Sequence, residues 1–337
     1  MFIYANIVCH VRISNGAWED IMSHTIPGGV WPTMITPFRN DLSVDYDALG
    51  PMVEWYIAHG VSGLFAVCQS SEMFYLTLDE RVRLARETVR IAAGRVPVIA
   101  SGHISEDPEQ GLEEVAAILE TGVDTAVLLT NRFGAPGDRT ETWRSSLERF
   151  VARLPEEASL GFYECPYPYS RILTADDVAW LSDTGRFSFL KDTSCNTEVV
   201  CSKVKAAEQS DFRVFNANAA TLLETLRCGA AGYSGVMANM HPELYAWLVA
   251  NWQQLPAEAA ALQDFLGTTA ILEKQLYPVN AKRYMQLEGI PITRKSRVHT
   301  GRDLGYWQFE ELLQFHRLSH RQAATLGVPQ SPDRKGT

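Results

Sequence analysis

Two residues that end consecutive apolar runs have side chains suited to carbonyl chemistry. Lys191 ends the run that begins at Phe187, and Tyr163 ends the run that begins at Leu160. Because burial of an ammonium group is costly, an amine in such a place loses its proton readily and can attack a ketone to form an imine. A phenol beside it could move the protons. Each residue also has a structural explanation: Lys191 could reach solvent or pair with Asp192, and Tyr163 could be an ordinary core tyrosine.

A turn of small polar residues follows an earlier apolar run, Gly63–Val67. The turn, Cys68–Glu72, reads CQSSE. Successive backbone N–H groups in such a turn can face one concavity and bind a carboxylate without a cationic side chain. The hydroxyl of Ser70 is a further candidate for proton transfer. The alternative is an ordinary solvent-exposed turn.

These residues need a scaffold that brings several strand ends together. Eight short apolar runs alternate with amphipathic stretches, which predicts an α/β protein with the (β/α)8 TIM-barrel fold. The predicted strands are Trp31–Pro37, Gly63–Val67, Pro97–Ser101, Thr125–Leu129, Leu160–Tyr163, Phe187–Lys191, Arg213–Phe215 and Gly232–Gly235. In such barrels the active site lies at the carboxyl ends of the strands. Tyr163, Lys191 and the turn at 68–72 all fall there.

The pattern after Gly235 is mainly helical, so additional C-terminal helices are predicted over 241–290 and 304–325. Thr77–Glu80 and Thr174–Asp177 have the form of helix N-terminal caps. The predicted parts of the chain are an N-terminal arm (1–26), the barrel core (27–240), the last barrel helix with a helical extension of the same domain (241–329), and a polar tail (330–337).

Composition narrows the class of protein. The 337 residues suit one barrel with added helices, and the net charge of −10 argues against nucleic acid or an anionic membrane as a partner. The six cysteines form no C-x-x-C pair and no zinc-finger spacing, so we expect scattered thiols in a reducing compartment and no metal. The run Phe2–Val11 is too short to span a bilayer and lacks signal-peptide features. The predicted location is therefore cytoplasmic.

Six segments, taken in chain order, resemble the dihydrodipicolinate synthase / N-acetylneuraminate lyase family of Schiff-base-forming, class I aldolase-type enzymes. The resemblance spans about residues 28–300. The segments are Gly29–Phe38, Ser70–Glu72 with Leu76–Arg81, Val98–Gly102, Tyr163–Pro166, Phe189–Ser194 and Gly229–Asn239. One such segment is a weak signal, whereas six in the same order and spacing are specific.

The resemblance implies a role for each aligned residue. Lys191 aligns with the lysine that forms the Schiff base, and Tyr163 aligns with the tyrosine that moves protons, aided by Ser70. The positions implied to contact substrate are Gln69, Ser71, Arg132, Phe133, Arg171, Gly235 and Val236. Because the imine itself is the electron sink, no metal or organic cofactor is expected. Relatives are commonly oligomers, so a homodimer or homotetramer is expected.

Several positions depart from the family pattern. The turn at 68–72 lacks both family glycines, and Phe133 stands where dihydrodipicolinate synthases have a tyrosine that reaches a neighbouring subunit. Asn218 and Ala219 replace the acidic pair of the N-acetylneuraminate lyases. These departures argue against both namesake activities. Arg132 and Arg171 are candidates to bind an anionic or aromatic second substrate, with surface arginines as the alternative.

Three functions remain open at this point. The first is a lyase that joins or splits pyruvate, or a related 2-oxo acid, and an aldehyde. The second is a hydro-lyase that dehydrates a 2-keto-3-deoxy sugar acid through the same imine. The third is a non-catalytic barrel that binds a 2-oxo acid. Retention of both Lys191 and Tyr163 argues against the third, while the motifs do not separate the first two.

Overall fold

The barrel is closed by eight parallel strands in chain order. The computed structural model describes residues 26–328, so the predicted tail and all but the last residue of the predicted arm lie outside the described residues. The strands are β1 (Gly29–Val30), β2 (Leu64–Val67), β3 (Val98–Ala100), β4 (Thr125–Leu129), β5 (Leu160–Tyr163), β6 (Phe187–Asp192), β7 (Arg213–Asn216) and β8 (Gly232–Tyr233). From β2 to β8 each strand pairs with the next, and β8 pairs with β1. A parallel bridge between Thr33 and Phe65 joins the segment after β1 to β2 and completes the ring.

The first strand differs from its prediction. It comprises Gly29–Val30 rather than Trp31–Pro37. Pro32 and Pro37 have no N–H group to donate to a strand ladder, which limits regular pairing in that stretch. The indole of Trp31 lies inside the ring instead, where a Cβ added at Gly63 would come within 2.2 Å of it.

Helices follow the strands and form the outer layer. They are α1 (Tyr46–Ala58), α2 (Leu78–Ala92), α3 (Pro108–Leu119), α4 (Thr140–Val151), α5 (Ala175–Asp183), α6 (Thr197–Ala206), α7 (Leu222–Arg227) and α8 (Pro242–Asn251). The additional helices are α9 (Pro256–Thr269), α10 (Val279–Leu287) and α11 (Tyr306–Thr325). The predicted TIM barrel with C-terminal helices is thus confirmed. No described helix has the length and apolar character required to cross a membrane.

Both predicted helix caps are present. Thr77 accepts a hydrogen bond from the N–H of Glu80 at 3.2 Å, and the Glu80 carboxylate accepts one from the N–H of Thr77 at 2.9 Å. Thr174 and Asp177 make the same reciprocal pair at the start of α5. Such caps satisfy N–H groups that a helix leaves unpaired at its start, and they typically contribute about 0.5–2 kcal/mol.

Aromatic rings fill the interior of the barrel. Phe189 stacks on Phe215 with ring centroids 4.8 Å apart and lies 5.6 Å from Trp31. Phe65 lies 5.9 Å from both Phe189 and Tyr163. Large apolar side chains of this kind exclude water from the barrel interior. A polar group at the strand ends therefore lies next to a layer of aromatic side chains from which water is excluded.

One pair of cysteines corrects the expectation of scattered thiols. Cys201 on α6 and Cys228 directly after α7 form a disulfide. They are 27 residues apart in the chain, and only the side-by-side packing of the two helices brings them together. Cys68, Cys165 and Cys195 are free thiols. Because disulfides are uncommon in reducing compartments, the cytoplasmic location stays a prediction.

Candidate active site

The ends of β5 and β6 bring together the two residues that the sequence singled out. Tyr163 and Lys191 are direct partners in the parallel register of these strands. Both side chains are buried and point into the barrel, and the Lys191 Nζ lies 4.5 Å from the centroid of the Tyr163 ring. An amine and a phenol therefore share one small space at the carboxyl end of the barrel.

The environment of Lys191 favours loss of its proton. Burial lowers the pKa of this amine, while the nearby Cys68, Cys165 and Glu273 oppose the shift. Among the residues that the structure describes, no carboxylate lies within salt-bridge distance of Lys191. A buried amine without a counterion is more easily neutral, and the neutral form is the nucleophile.

The phenol of Tyr163 bonds to an amide rather than to a hydroxyl. It donates a hydrogen bond to the Oε1 of Gln69 at 3.2 Å, and the Cys165 thiol lies 3.6 Å from the same oxygen. Burial raises the pKa of Tyr163 well above its usual value, so the phenol stays protonated and can donate. The amide of Gln69 orients the phenol, but it cannot pass on a proton as a hydroxyl does.

The two serines of the turn have different surroundings. The hydroxyl of Ser70 donates to the Thr33 hydroxyl at 3.1 Å, so the structure does not place it on the phenol of Tyr163. The hydroxyl of Ser71 donates to the Met34 carbonyl at 2.7 Å and is fully buried. The side chain at 71 thus holds the turn in place from within and also accepts a hydrogen bond from the Cys68 N–H at 3.1 Å. The N–H groups of Gln69 and Ser70 have no described acceptor inside the turn.

The C-terminal extension supplies Tyr277, which sequence reasoning missed. Ser70 and Thr33 hydrogen-bond to this phenol and lower its pKa, but burial has the larger effect and raises it well above the usual value. The amide of Asn239 donates to the Tyr277 hydroxyl at 3.0 Å. Tyr277 belongs to no motif and lies far from the strand ends in sequence, so only the folded chain places it beside the 68–72 turn.

Glu273 is a second group from the extension. It lies in the short helical turn Ala270–Lys274. Burial raises its pKa, and its charge acts in turn on Lys191. The carboxyl group therefore lies within electrostatic range of the amine without forming an ion pair with it.

Two of the predicted substrate contacts face the helical layer. The ring of Phe133 packs against Phe150 with centroids 5.1 Å apart. The Arg171 guanidinium lies 5.2 Å from the Trp143 ring and donates to the Asp138 carbonyl at 3.3 Å. The structure therefore does not bring these two side chains onto the amine of Lys191.

Arg132 and Lys191 both lie within electrostatic range of Cys165. The Arg132 guanidinium lies 5.7 Å from the ring centroid of Phe74, and its side chain is 6% exposed. Its positive charge is among the effects that lower the pKa of Cys165, although burial dominates and raises that pKa to about 11. A weak ion pair of 3.9 Å to the exposed Glu106 leaves the charge largely uncompensated.

Gly235 and Val236 lie just beyond β8, which ends at Tyr233 rather than at the predicted Gly235. A Cβ at Gly235 would lie 2.3 Å from the Tyr233 ring and 2.5 Å from the Ala217 carbonyl, so the chain has room only for glycine here. Val236 opens a short helical turn, Val236–Asn239.

A buried ionic triad lies directly behind the catalytic candidates. Lys203 on α6 binds Glu164 and Asp192, each at 2.5 Å, and all three side chains are excluded from solvent. The two acids follow Tyr163 and Lys191 in the chain, so they point to the opposite face of the same strands. The triad ties the end of β5 to the end of β6. Its sequence signal is a pair of carboxylates in wholly buried strands, which require a cationic partner.

Residues 26–301 match the model of the dihydrodipicolinate synthetase family. A 4-hydroxy-tetrahydrodipicolinate synthase of Polynucleobacter asymbioticus is 24% identical over 285 residues, which are 83% of this chain and 87% of that protein.

Solved structures share the fold. A dihydrodipicolinate synthase variant described as the first monomeric one has a TM-score of 0.78 at 19% identity, covering 90% of this chain and 99% of that one. YagE of Escherichia coli K12, a family protein in complex with pyruvate, has a TM-score of 0.76 at 20% identity, covering the same 90% and 99%. At such identities these two likenesses concern the fold alone.

Proposed function

Because this chain belongs to the dihydrodipicolinate synthetase family, and is accordingly a lyase of the aldolase type, we propose that it acts through a Schiff base between Lys191 and pyruvate or a related 2-oxo acid. One observation carries the proposal. The Lys191 Nζ is buried without a carboxylate partner among the described residues, and it lies 4.5 Å from the ring centroid of Tyr163.

The chemistry begins with the neutral amine. Lys191 attacks the ketone carbon, the ketone oxygen takes a proton, and loss of water leaves an iminium. Loss of a proton from the adjacent carbon gives an enamine, whose carbon attacks the aldehyde and forms the new C–C bond; the reverse sequence breaks that bond. The hydroxyl of Tyr163 donates and accepts protons at the oxygen atoms. Water then releases the product and restores the amine. The imine is the electron sink, so the proposal includes no cofactor.

The 68–72 turn supports binding of the 2-oxo acid carboxylate. The N–H groups of Gln69 and Ser70 have no described acceptor within the turn, and Ser71 holds the turn from below through the Met34 carbonyl. In this proposal Gln69 and Ser70 present those N–H groups, and Tyr277 closes the side next to Ser70.

The second substrate is proposed to be an aldehyde with an anionic group, which Arg132 would bind. Its guanidinium has a buried Nε with no hydrogen-bond partner among the described residues, and its single ion pair is long. A charge-assisted hydrogen bond from an anionic substrate would satisfy this group. The Tyr163 phenol donates its hydrogen bond to the amide of Gln69. This contact is a further reason to expect an aldehyde that differs from the aldehyde substrate of the named synthases.

Borohydride reduction tests the imine. The protein is incubated with pyruvate and other short 2-oxo acids, reduced, and weighed intact by mass spectrometry. Wild type is expected to gain a single adduct per chain, and Lys191→Arg none. Lys205→Arg replaces an exposed lysine and should still form the adduct. Absence of any adduct, or an adduct that survives Lys191→Arg, overturns the proposal. Product analysis with aldehydes and with 2-keto-3-deoxy sugar acids then separates aldol cleavage from dehydration, which share the imine.

A homodimer or homotetramer is part of the same proposal, because relatives are commonly oligomers. Sedimentation analysis tests it directly. A chain that sediments as a monomer at working concentration, like the variant described as monomeric, would remove the oligomer from the proposal and leave the chemistry standing.

A further inference from the structure

A second cluster of reactive side chains lies in the C-terminal extension and shares no residue with the site around Lys191. His316 and His320 are one helical turn apart on α11, so both face the same way. Glu288 directly follows α10 and reaches both of them. Its Oε1 lies 2.7 Å from the Nε2 of His316 and 2.8 Å from the Nε2 of His320, and the two Nε2 atoms are 3.0 Å apart.

Hydrogen bonds account for at most two sides of this triangle at once. A single proton can form a hydrogen bond along only one side of the triangle. If only one of the two Nε2 atoms is protonated, the other Nε2 and the carboxylate oxygen therefore face each other with unshared electron pairs. With a proton on each Nε2, both N–H groups donate to the Glu288 oxygen, and the two nitrogens then lie 3.0 Å apart with no hydrogen bond between them. A cation accepts all three lone pairs at once. The sides of the triangle are shorter than twice a usual metal–ligand bond of about 2.1 Å, so an ion placed above its plane reaches all three atoms.

A neighbouring carboxylate is a second, independent observation. Glu243 in the first turn of α8 has a buried Oε2 with no hydrogen-bond partner among the described residues. Burial raises the pKa of Glu243 to about 8, and the charge of nearby Glu288 adds to the rise. A buried oxygen without a partner is costly. A cation at the cluster would offset that cost.

We propose that Glu288, His316 and His320 bind one divalent transition-metal ion, with Zn²⁺ as the best match, and that the ion joins α10 to α11. Two imidazoles and a carboxylate are a ligand set that suits Zn²⁺, with a further position for water. The side chains of His316 and His320 are 20% and 41% exposed, so an ion can enter from solvent. This departs from the expectation of no metal, which rested on cysteine and zinc-finger spacing.

The position of the cluster gives the ion a structural role. Helix α11 packs against α8 and α10. Helix α10 begins two residues after Tyr277, which contacts the 68–72 turn. An ion between the end of α10 and α11 would therefore stabilise the extension that supplies Tyr277.

The test titrates Zn²⁺ into full-length protein treated with a chelator and then dialysed, and follows binding by calorimetry and by thermal unfolding. Wild type should bind one ion per chain and unfold at a higher temperature with the ion present. His316→Ala and His320→Ala should each weaken binding by at least about a hundredfold, since even loss of a residue that only supports a ligand costs about 10–100-fold. Gln314→Ala, an exposed position on the same helix, should bind as wild type.

Co²⁺ gives a second readout, because its visible absorption reports ordered nitrogen and oxygen ligands. Wild type and Gln314→Ala should show this absorption, and both histidine variants should lose it. Glu288→Gln keeps the shape of the side chain and removes its charge. If an alanine variant does not fold, loss of metal binding in Glu288→Gln tests the proposal instead. No stoichiometric binding by wild type, or binding unchanged in the histidine and Glu288 variants, overturns the proposal. Either result leaves the chemistry at Lys191 untouched.

Discussion

Two buried lysines only 12 positions apart in the chain have opposite surroundings. Lys203 is fully buried and binds two carboxylates at 2.5 Å. Lys191 is also buried, but it forms no ion pair with any described residue, and its Nζ lies 4.5 Å from the ring centroid of Tyr163. Burial is common to both, so burial does not by itself make an amine reactive. The comparison indicates that the absence of a counterion is what leaves Lys191 free to lose its proton.

Strand geometry creates this difference within a few residues. Successive side chains on a strand point to opposite faces. Tyr163 and Lys191 therefore face the barrel, while Glu164 and Asp192 face the helices and Lys203. Burial, together with the like charge of Asp192, raises the pKa of Glu164 to about 7 in spite of Lys203. The carboxylates stay on the helical side, and the amine of Lys191 is separated from both by the strand itself.

The largest expected effect is the loss of all imine chemistry in Lys191→Arg. The guanidinium keeps a positive charge but is not a competent nucleophile, so turnover and borohydride trapping should fall below detection while circular dichroism stays native. Steady-state kinetics and intact mass measure both. Turnover at the wild-type rate in this variant would show that Lys191 is not the reactive lysine.

Tyr163→Phe removes the proton carrier but keeps the ring beside Lys191. Turnover should fall by roughly 10²–10⁴-fold, as expected for the loss of an acid–base group. Trapping at long incubation should still label Lys191, because the amine is unchanged. Wild-type turnover in this variant would remove Tyr163 from the mechanism.

The effect on protein stability should have the opposite order: replacing Lys203 should destabilise the fold more than replacing Lys191. Lys203→Met leaves Glu164 and Asp192 buried without their cation, which should cost about 3–5 kcal/mol of unfolding free energy. Lys191→Met replaces an unpaired amine by an apolar chain of similar size and should cost less than about 1.5 kcal/mol, or stabilise the protein. Urea unfolding of both variants measures the difference. Equal losses would contradict the assignment of only one lysine to an ion network.

The smallest expected effect is at Gln69. Gln69→Leu removes the amide that accepts the Tyr163 hydroxyl, and loss of one neutral hydrogen bond should lower kcat by about two- to tenfold. Gln69→Asn is the matched control, because it keeps an amide on a shorter chain. A fall as large as that of Tyr163→Phe would mean that Gln69 takes part in proton transfer rather than only orienting the phenol.

Sequence patterns predicted the groups whose position follows from a strand end. Lys191 and Tyr163 are in that class, because the barrel brings neighbouring strand ends together whatever the outer helices do. Tyr277 and Glu273 are not, because they come from an extension whose path over the barrel mouth has no repeating pattern. The same reason hid the pairing of Cys201 with Cys228, which depends on how α6 packs beside α7.

The first strand and the 68–72 turn show a second limit. Two prolines shortened a run that reads as a strand by its apolar residues. In the turn, the identities of Gln69 and Ser70 did not reveal which side chain meets the phenol, since a shift of one residue exchanges their directions. Contacts of that kind depend on backbone angles at single positions, to which composition and periodicity are insensitive.

Site-resolved trapping over a range of pH tests the central claim most directly. Protein is incubated with pyruvate at each pH, reduced with borohydride and digested, and the labelled peptide is measured by mass spectrometry. Burial lowers the pKa of Lys191, so its neutral fraction rises with pH and levels off below the ordinary range for lysine. We predict that the label lies on Lys191, that its formation rate follows this curve, and that Lys203 stays unlabelled. A label on another lysine, or a rate on Lys191 that levels off only at an ordinary lysine pKa, would contradict the account.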